Sequence, residues 1–144
     1  MTDLPQGGAP GDPGGLGVPD VDPLDVDQVA AVIGQTLATF GAIGVVDLLA
    51  RMPGTTRVPD RPGGLFRKRE PEAVIVGEHR ILMADPLVDE HVVGGITLAR
   101  DALSFVDVGP VLARHLTRLV TETGTMLEAT AVLTAARDTA ARFG

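Results

Sequence analysis

The stretch Val29–Val46, VAAVIGQTLATFGAIGVV, runs for eighteen residues without a charge. As a helix it would be apolar on nearly every face and would have no water-facing side. Such a segment is covered by other helices, by sister copies of itself, or by lipid. Asp25 precedes it as an N-cap, Gln28 stands at the capping-box position, and Met52-Pro53-Gly54 stops it. The expected helix occupies residues 25–52, with about 26 helical residues and a length of about 39 Å. Val29, Ile33, Leu37, Phe40 and Leu48 form its large side. Ala30, Gly34, Ala38 and Ala42 recur every four residues on another side, a spacing that lets a second helix approach closely.

The flanks of this helix differ in composition. Residues 1–24 hold five Pro, six Gly and no hydrophobic period, and read as a disordered acidic tail. Its glycines are no phosphate loop, since no strand precedes them and no Lys-Ser/Thr follows. Residues 53–72 form a linker rich in Arg, Pro and Gly. Six of the twelve basic groups, Arg51, Arg57, Arg61, Arg67, Lys68 and Arg69, fall within residues 51–69. The expectation there is a solvated loop, with a partner or lipid contact as the other reading.

Residues 73–144 make a small α+β region. Ala73–Val76 and Arg80–Ala84 flank Gly77-Glu78-His79 as a hairpin, and Asp85-Pro86 starts a helix or turn. Residues 87–106 fit either a helix interrupted by Gly94-Gly95 or short strands at Ile96–Ala99 and Leu103–Val106; the meander is preferred. A long C-terminal helix follows, with Gly109 as N-cap, Pro110 at its first position and its end near Phe143. Leu112, Leu119, Met126, Leu133 and Ala140 recur every seven residues, which keeps one seam toward a partner. Gly124 weakens the helix interior and marks a kink. The fold class expected is thus α-rich α+β: a long apolar helix, a small antiparallel hairpin or meander, and a long C-terminal helix behind a disordered tail.

Composition narrows the chemistry. The chain has 144 residues, a net charge of −7, no Cys, no Asn, a single Lys (Lys68) and a single Ser (Ser104). Thiol catalysis, iron–sulfur clusters and disulfides are excluded, and serine nucleophiles and Schiff-base lysines have almost no candidates. The acidic balance argues against a nucleic-acid partner. Aromatic residues amount to 3 %, so an aliphatic core must do the folding, and a marginal core of this kind favours self-association. No basic segment precedes an N-terminal apolar run, so a cleaved signal peptide is not expected and the default compartment is the cytoplasm.

Neither a catalytic nor a cofactor motif stands out. Asp85, Asp89, Glu90 and His91 offer carboxylate and imidazole ligands, but without the i, i+3 or i, i+4 partner of a helical metal motif. The preferred reading is an acidic first turn of a helix, so no metal or cofactor is expected. His115, Arg118 and Glu122 read as a solvated helix face, and Glu78-His79 and Arg100-Asp101 as loop pairs. Asp47 is read as marking where the first helix meets water, with a partner's arginine or a bound cation as the other readings.

The expected function is a non-catalytic, self-associating scaffold, adaptor or accessory subunit. Its contacts would be Ala30, Gly34, Ala38 and Ala42 on the apolar helix and Leu112, Leu119, Met126 and Leu133 on the C-terminal helix. Its partners would be a second copy of the chain and another protein. Membrane association through Val29–Val46 is the alternative, with the arginine-rich flank on the cytoplasmic side. A bundle enclosing a lipophilic ligand, or a small-ligand binder or enzyme using the strand region, is the remaining reading.

Overall fold

The computed structural model describes residues 18–144 and bears out the α-rich α+β class. Helix α1 spans Val26–Arg51. Its start follows the capping logic closely. Asp25 accepts from the backbone N–H groups of Asp27 and Gln28, and the Gln28 amide donates back to Asp25 at 3.1 Å. Gly41 interrupts the helix with φ +76° and ψ −171°, so two helical segments meet at a break inside the uncharged run. That conformation is essentially restricted to glycine.

Five strands follow in a simple meander: β1 (Thr56–Val58), β2 (Ala73–Val76), β3 (His79–Leu82), β4 (Val88–Val93) and β5 (Ile96–Ala102). They pair antiparallel in sequence order, so β1 and β5 are the edges. The β2–β3 turn is Gly77-Glu78, one residue shorter than the sequence suggests, because His79 already pairs with Val76. Asp85-Pro86, whose peptide bond is cis, lies in the β3–β4 turn and begins no helix. Gly94-Gly95 turns β4 into β5, so the second hairpin is 88–93 with 96–102, and Leu103–Val106 is not a strand.

Helix α2 (Phe105–Thr123) and helix α3 (Met126–Phe143) complete the chain. The C-terminal helical region begins earlier than Gly109-Pro110, with Ser104 as N-cap and Pro110 inside the helix. It is divided at Gly124, whose left-handed φ of +68° closes α2. The seven-residue seam therefore belongs to two helices that pack within one chain.

A single core joins the layers. Val29, Ile33, Val45, Val46, Leu48 and Leu49 of α1 pack with Leu112, Leu116 and Val120 of α2, Leu133 of α3, and Val74, Val76 and Ile81 of the sheet. Strand alternation directs Val74, Val76 and Ile81 to the helices and Ala73, Leu82 and Val88 to a smaller cluster on the opposite face. Small residues permit the α1–α2 approach. A Cβ on Gly109 would lie 2.8 Å from the Ala30 carbonyl oxygen.

The expected disordered tail, residues 1–24, falls partly outside the described residues (1–17). Its last part is ordered instead: the backbone N–H of Val21 donates to Thr134 Oγ1 at 3.0 Å, and Arg137 donates to the Pro19 carbonyl at 2.6 Å. Within the linker, β1 and a second narrow hairpin, closed by Arg61–Glu70 and Gly64–Arg67 bridges, replace featureless loop.

Candidate metal centre

Three histidines and one buried carboxylate converge where the sheet meets α2. Residues 79 and 81 of β3 and 89 and 91 of β4 share the helix-facing side of the sheet, in the register His79↔His91 and Ile81↔Asp89. Helix α2 brings His115 over the same spot, from 26 residues along the chain. Asp89 is 7 % exposed. His79 Nδ1 donates to Asp89 Oδ1 at 2.9 Å, and His115 Nε2 donates to Asp89 Oδ2 at 2.8 Å. An ionised carboxylate only accepts, so both contacting nitrogens carry protons in this arrangement.

The rings stack in a column. His79 and His115 have centroids 3.6 Å apart and nearly parallel planes, and His91 stacks on the other side of His79 at 4.8 Å. His91 is anchored by Glu78, its Nε2 lying 3.1 Å from Oε1. A β-bulge between His91 and Val92 shifts the register of β5 at this point. Bulges of this sort re-aim side chains next to functional sites.

Burial lowers the His79 imidazole below its ordinary value, against the Asp89 hydrogen bond; the neighbouring His115 and His91 add to the lowering. A His79 ring kept neutral is the form that ligates metals. Burial works to raise the Asp89 carboxyl, but the hydrogen bonds from His115 and His79 together outweigh it and hold the group below the usual carboxylate range. Asp101 lies directly across the β4–β5 ladder from Asp89, on the same face. Like charges in that relation are unfavourable unless a cation sits near them.

The ligating atoms of His79, Asp89 and His115 all lie within 4.8 Å of one another. Around a zinc ion with bonds of about 2.0–2.1 Å, tetrahedral ligands stand about 3.3 Å apart. The present contacts of 2.8 and 2.9 Å run to the two different oxygens of Asp89, and the His79 and His115 planes are nearly parallel, so holding one ion would require the rings to rotate toward a shared point. A pocket of about 120 Å³, lined by Gly77, Glu78, His79, His115, Arg118, Leu119 and Glu122, opens onto the cluster. Two imidazoles, one carboxylate and an adjoining space match the donor set of a three-ligand site that keeps a coordination position open.

The structure distributes the sequence candidates differently from expectation. Asp85, Asp89, Glu90 and His91 do not form a helix turn; they lie in and before a strand. Alternation separates the middle pair. Asp89 faces the histidines, whereas Glu90 turns to the other face and is held by Arg80 at 2.7 Å and by Arg100. His115 is no part of a solvated face, although Arg118 and Glu122 do form an exposed i, i+4 pair at 3.2 Å. Glu78 and Arg100 pair across strands, not with their chain neighbours. Asp47 meets its own chain's Arg51 at 3.0 Å.

The eight residues expected at an interface divide. Leu112, Leu119 and Leu133 are buried in the chain's own core, and Ala30 packs against Gly109. Ala42 is half-buried, Ala38 and Met126 are exposed, and a Cβ on Gly34 would meet nothing within 4 Å.

Residues 21–140 match the model of a family described as a domain of unknown function (DUF5073). The chain belongs to this family. The match covers the ordered fold from the segment pinned on α3 to the last turns of α3, and so includes every residue of the histidine cluster. No curated protein and no solved structure matches the chain.

Proposed function

We propose that this DUF5073 protein binds a divalent transition-metal ion through His79, Asp89 and His115. The observation that carries this reading is the convergence of two imidazoles and one nearly buried carboxylate, from β3, β4 and α2, beside a small pocket. Each imidazole would offer the nitrogen that now faces Asp89, its proton moving to the other ring nitrogen. Imidazole donors favour zinc, iron, cobalt or nickel over magnesium or calcium. Glu78 and Glu122 at the pocket rim, and Asp101 across the ladder, add negative potential for a cation. Calorimetric titration of chelator-stripped protein with zinc sulfate tests the reading. One ion per chain is expected, with binding lost in His79→Ala and in His115→Ala; heat indistinguishable from dilution in the parent protein would overturn it.

A second reading, assembly of copies into a scaffold or accessory subunit through α1 and α3, is favoured by a groove between these helices. The groove, about 520 Å³, is lined by Phe40, Ile43, Leu48 and Ala136 on its apolar side and by Asp47, Arg51 and Arg57 at its charged end. Ile43 and Phe143 are exposed near it, and Phe143 packs edge-on against Phe40 at 6.1 Å. Light scattering on a sizing column tests it: a mass above 14.9 kDa that falls in Ile43→Asp supports assembly, and a monomer removes it. Helix α1 is the one helix among the described residues with the length and composition to cross a bilayer. Eight of its residues are buried in the chain's own core and Gly41 breaks it midway, features that support packing against the rest of the chain, while about a third of its apolar window is buried.

A further inference from the structure

The arginine-rich linker has a shape that its composition did not announce. Arg61 and Glu70 exchange backbone hydrogen bonds at 2.7 and 2.8 Å, and Gly64 and Arg67 exchange theirs at 2.9 and 3.3 Å. The result is a narrow finger whose two tip residues are Leu65 and Phe66. Gly63 lets its arms close, since a Cβ there would lie 3.1 Å from the Arg69 nitrogen. Two-residue hairpin tips ordinarily carry Gly, Asn or Asp. Here they carry two of the larger apolar side chains, Leu65 90 % and Phe66 97 % exposed. Folding gains nothing from that exposure.

The charge around the tip is equally uneven. Residues 61–69 hold Arg61, Arg67, Lys68 and Arg69 and no acid, in a chain of net charge −7. The nearest acids, Asp60 and Glu70, stand at the base of the finger, where Glu70 pairs with Arg61 at 4.0 Å, so Arg67, Lys68 and Arg69 make up the collar. Three residues of extended chain separate the Arg61–Glu70 row from the Gly64–Arg67 row, about 10 Å. That is about one Debye length at physiological salt, so a surface touching the tip feels the bases more than the acids.

We propose that the 61–69 finger docks the protein on an anionic membrane surface, sinking Leu65 and Phe66 among the lipid headgroups while the basic collar meets lipid phosphates. An apolar tip with a basic collar matches the two forces of such a surface, hydrophobic burial at the acyl boundary and attraction to negative headgroups. The cross-finger hydrogen bonds already satisfy the flanking backbone, so shallow entry leaves few polar groups without partners. The acidic remainder of the molecule is repelled by the same surface, which fixes the finger as the point of contact.

Co-sedimentation of the full chain with phosphatidylcholine vesicles, with and without one-quarter phosphatidylglycerol, tests the proposal. Binding is expected only to the anionic vesicles, weakening as salt rises. Leu65→Ser with Phe66→Ser should weaken it roughly 10-fold or more, the loss expected when two apolar side chains no longer leave water. Arg67→Gln with Lys68→Gln should weaken it as well. Both pairs are at the exposed finger, so circular dichroism and melting of the variants should match the parent. No binding to anionic vesicles overturns the proposal. So does binding that the Leu65/Phe66 variant retains in full, which would indicate a purely electrostatic contact through the basic residues with no burial of the tip.

Discussion

Replacing Asp89 by Asn keeps the shape of the side chain while removing its charge and one of its two acceptor oxygens. In metal-free protein this deletes about one charge-assisted hydrogen bond, worth about 1.5–3 kcal/mol. Part of that is offset because a nearly buried charge no longer has to be desolvated, leaving a net cost of about 1–2 kcal/mol. Unfolding entropy is about 2.1 cal/mol/K per residue, so over about 120 folded residues each kcal/mol moves the Tm by about 4 °C. The variant should therefore melt about 4–8 °C below the parent in chelator. Zinc at about 100 times its Kd stabilises a single-site protein by about 2.7 kcal/mol, which raises the parent's Tm by about 11 °C. With two imidazoles left, Asp89→Asn should show only a small fraction of that rise at the same free zinc. Asp101→Asn, which removes the facing carboxylate but no ligand, should keep most of it. The assay is a calorimetric or dichroism melt in buffered zinc, with magnesium as the ion that imidazoles do not favour. An equal zinc response in Asp89→Asn and the parent, or none in the parent, would refute the reasoning.

Three further outcomes follow from particular residues. Gly41→Ala should lower stability in urea by about 1–3 kcal/mol, because no L residue adopts that backbone conformation comfortably, although a Cβ there meets no atom within 4 Å. Gly34→Ala, in open space and regular helix, should instead raise it by about 0.5–1 kcal/mol. Leu133→Ala should cost about 2–5 kcal/mol, and Leu127→Ala, on the exposed side of α3, less than about 0.5 kcal/mol, as urea midpoints will report. In chelator, stability should fall on acidification. His79 binds its proton less tightly in the folded chain, so its contribution is present above about pH 6.5 and is lost below it. Asp89, also lowered, extends the loss below about pH 4; a flat stability between pH 7 and pH 5 would contradict the His79 assignment.

The sequence by itself determined the elements whose signals are local. The capping pair Asp25–Gln28, the stop at Met52-Pro53 and the uncharged run between them specify α1 within a residue of its observed ends. Gly77 between two apolar runs specifies the first hairpin, whereas residues 87–106 fit either helix or strands by pattern, and the pairing of β4 with β5 across Gly94-Gly95 came from the tertiary structure. Gly124 signals a weak point in the last helical region, and its left-handed conformation separates α2 from α3 there.

Tertiary structure decided which faces meet. The apolar periodicities of α1, α2 and α3 say that each helix needs a partner, and would be satisfied equally by a sister subunit, by lipid or by one another. Only the close approach at Ala30 and Gly109 and the shared core beneath them show which of these faces the chain satisfies within itself, while Ile43, Leu127 and Phe143 stay exposed. The histidine cluster was illegible for a related reason. His79 and Asp89 are neighbours only through antiparallel register, and His115 reaches them only because α2 lies across that face. Metal motifs can be read from a sequence when one helix turn or loop carries the spacing. Here three elements carry one ligand each, and the distance between ligands is set by packing, which no local pattern encodes.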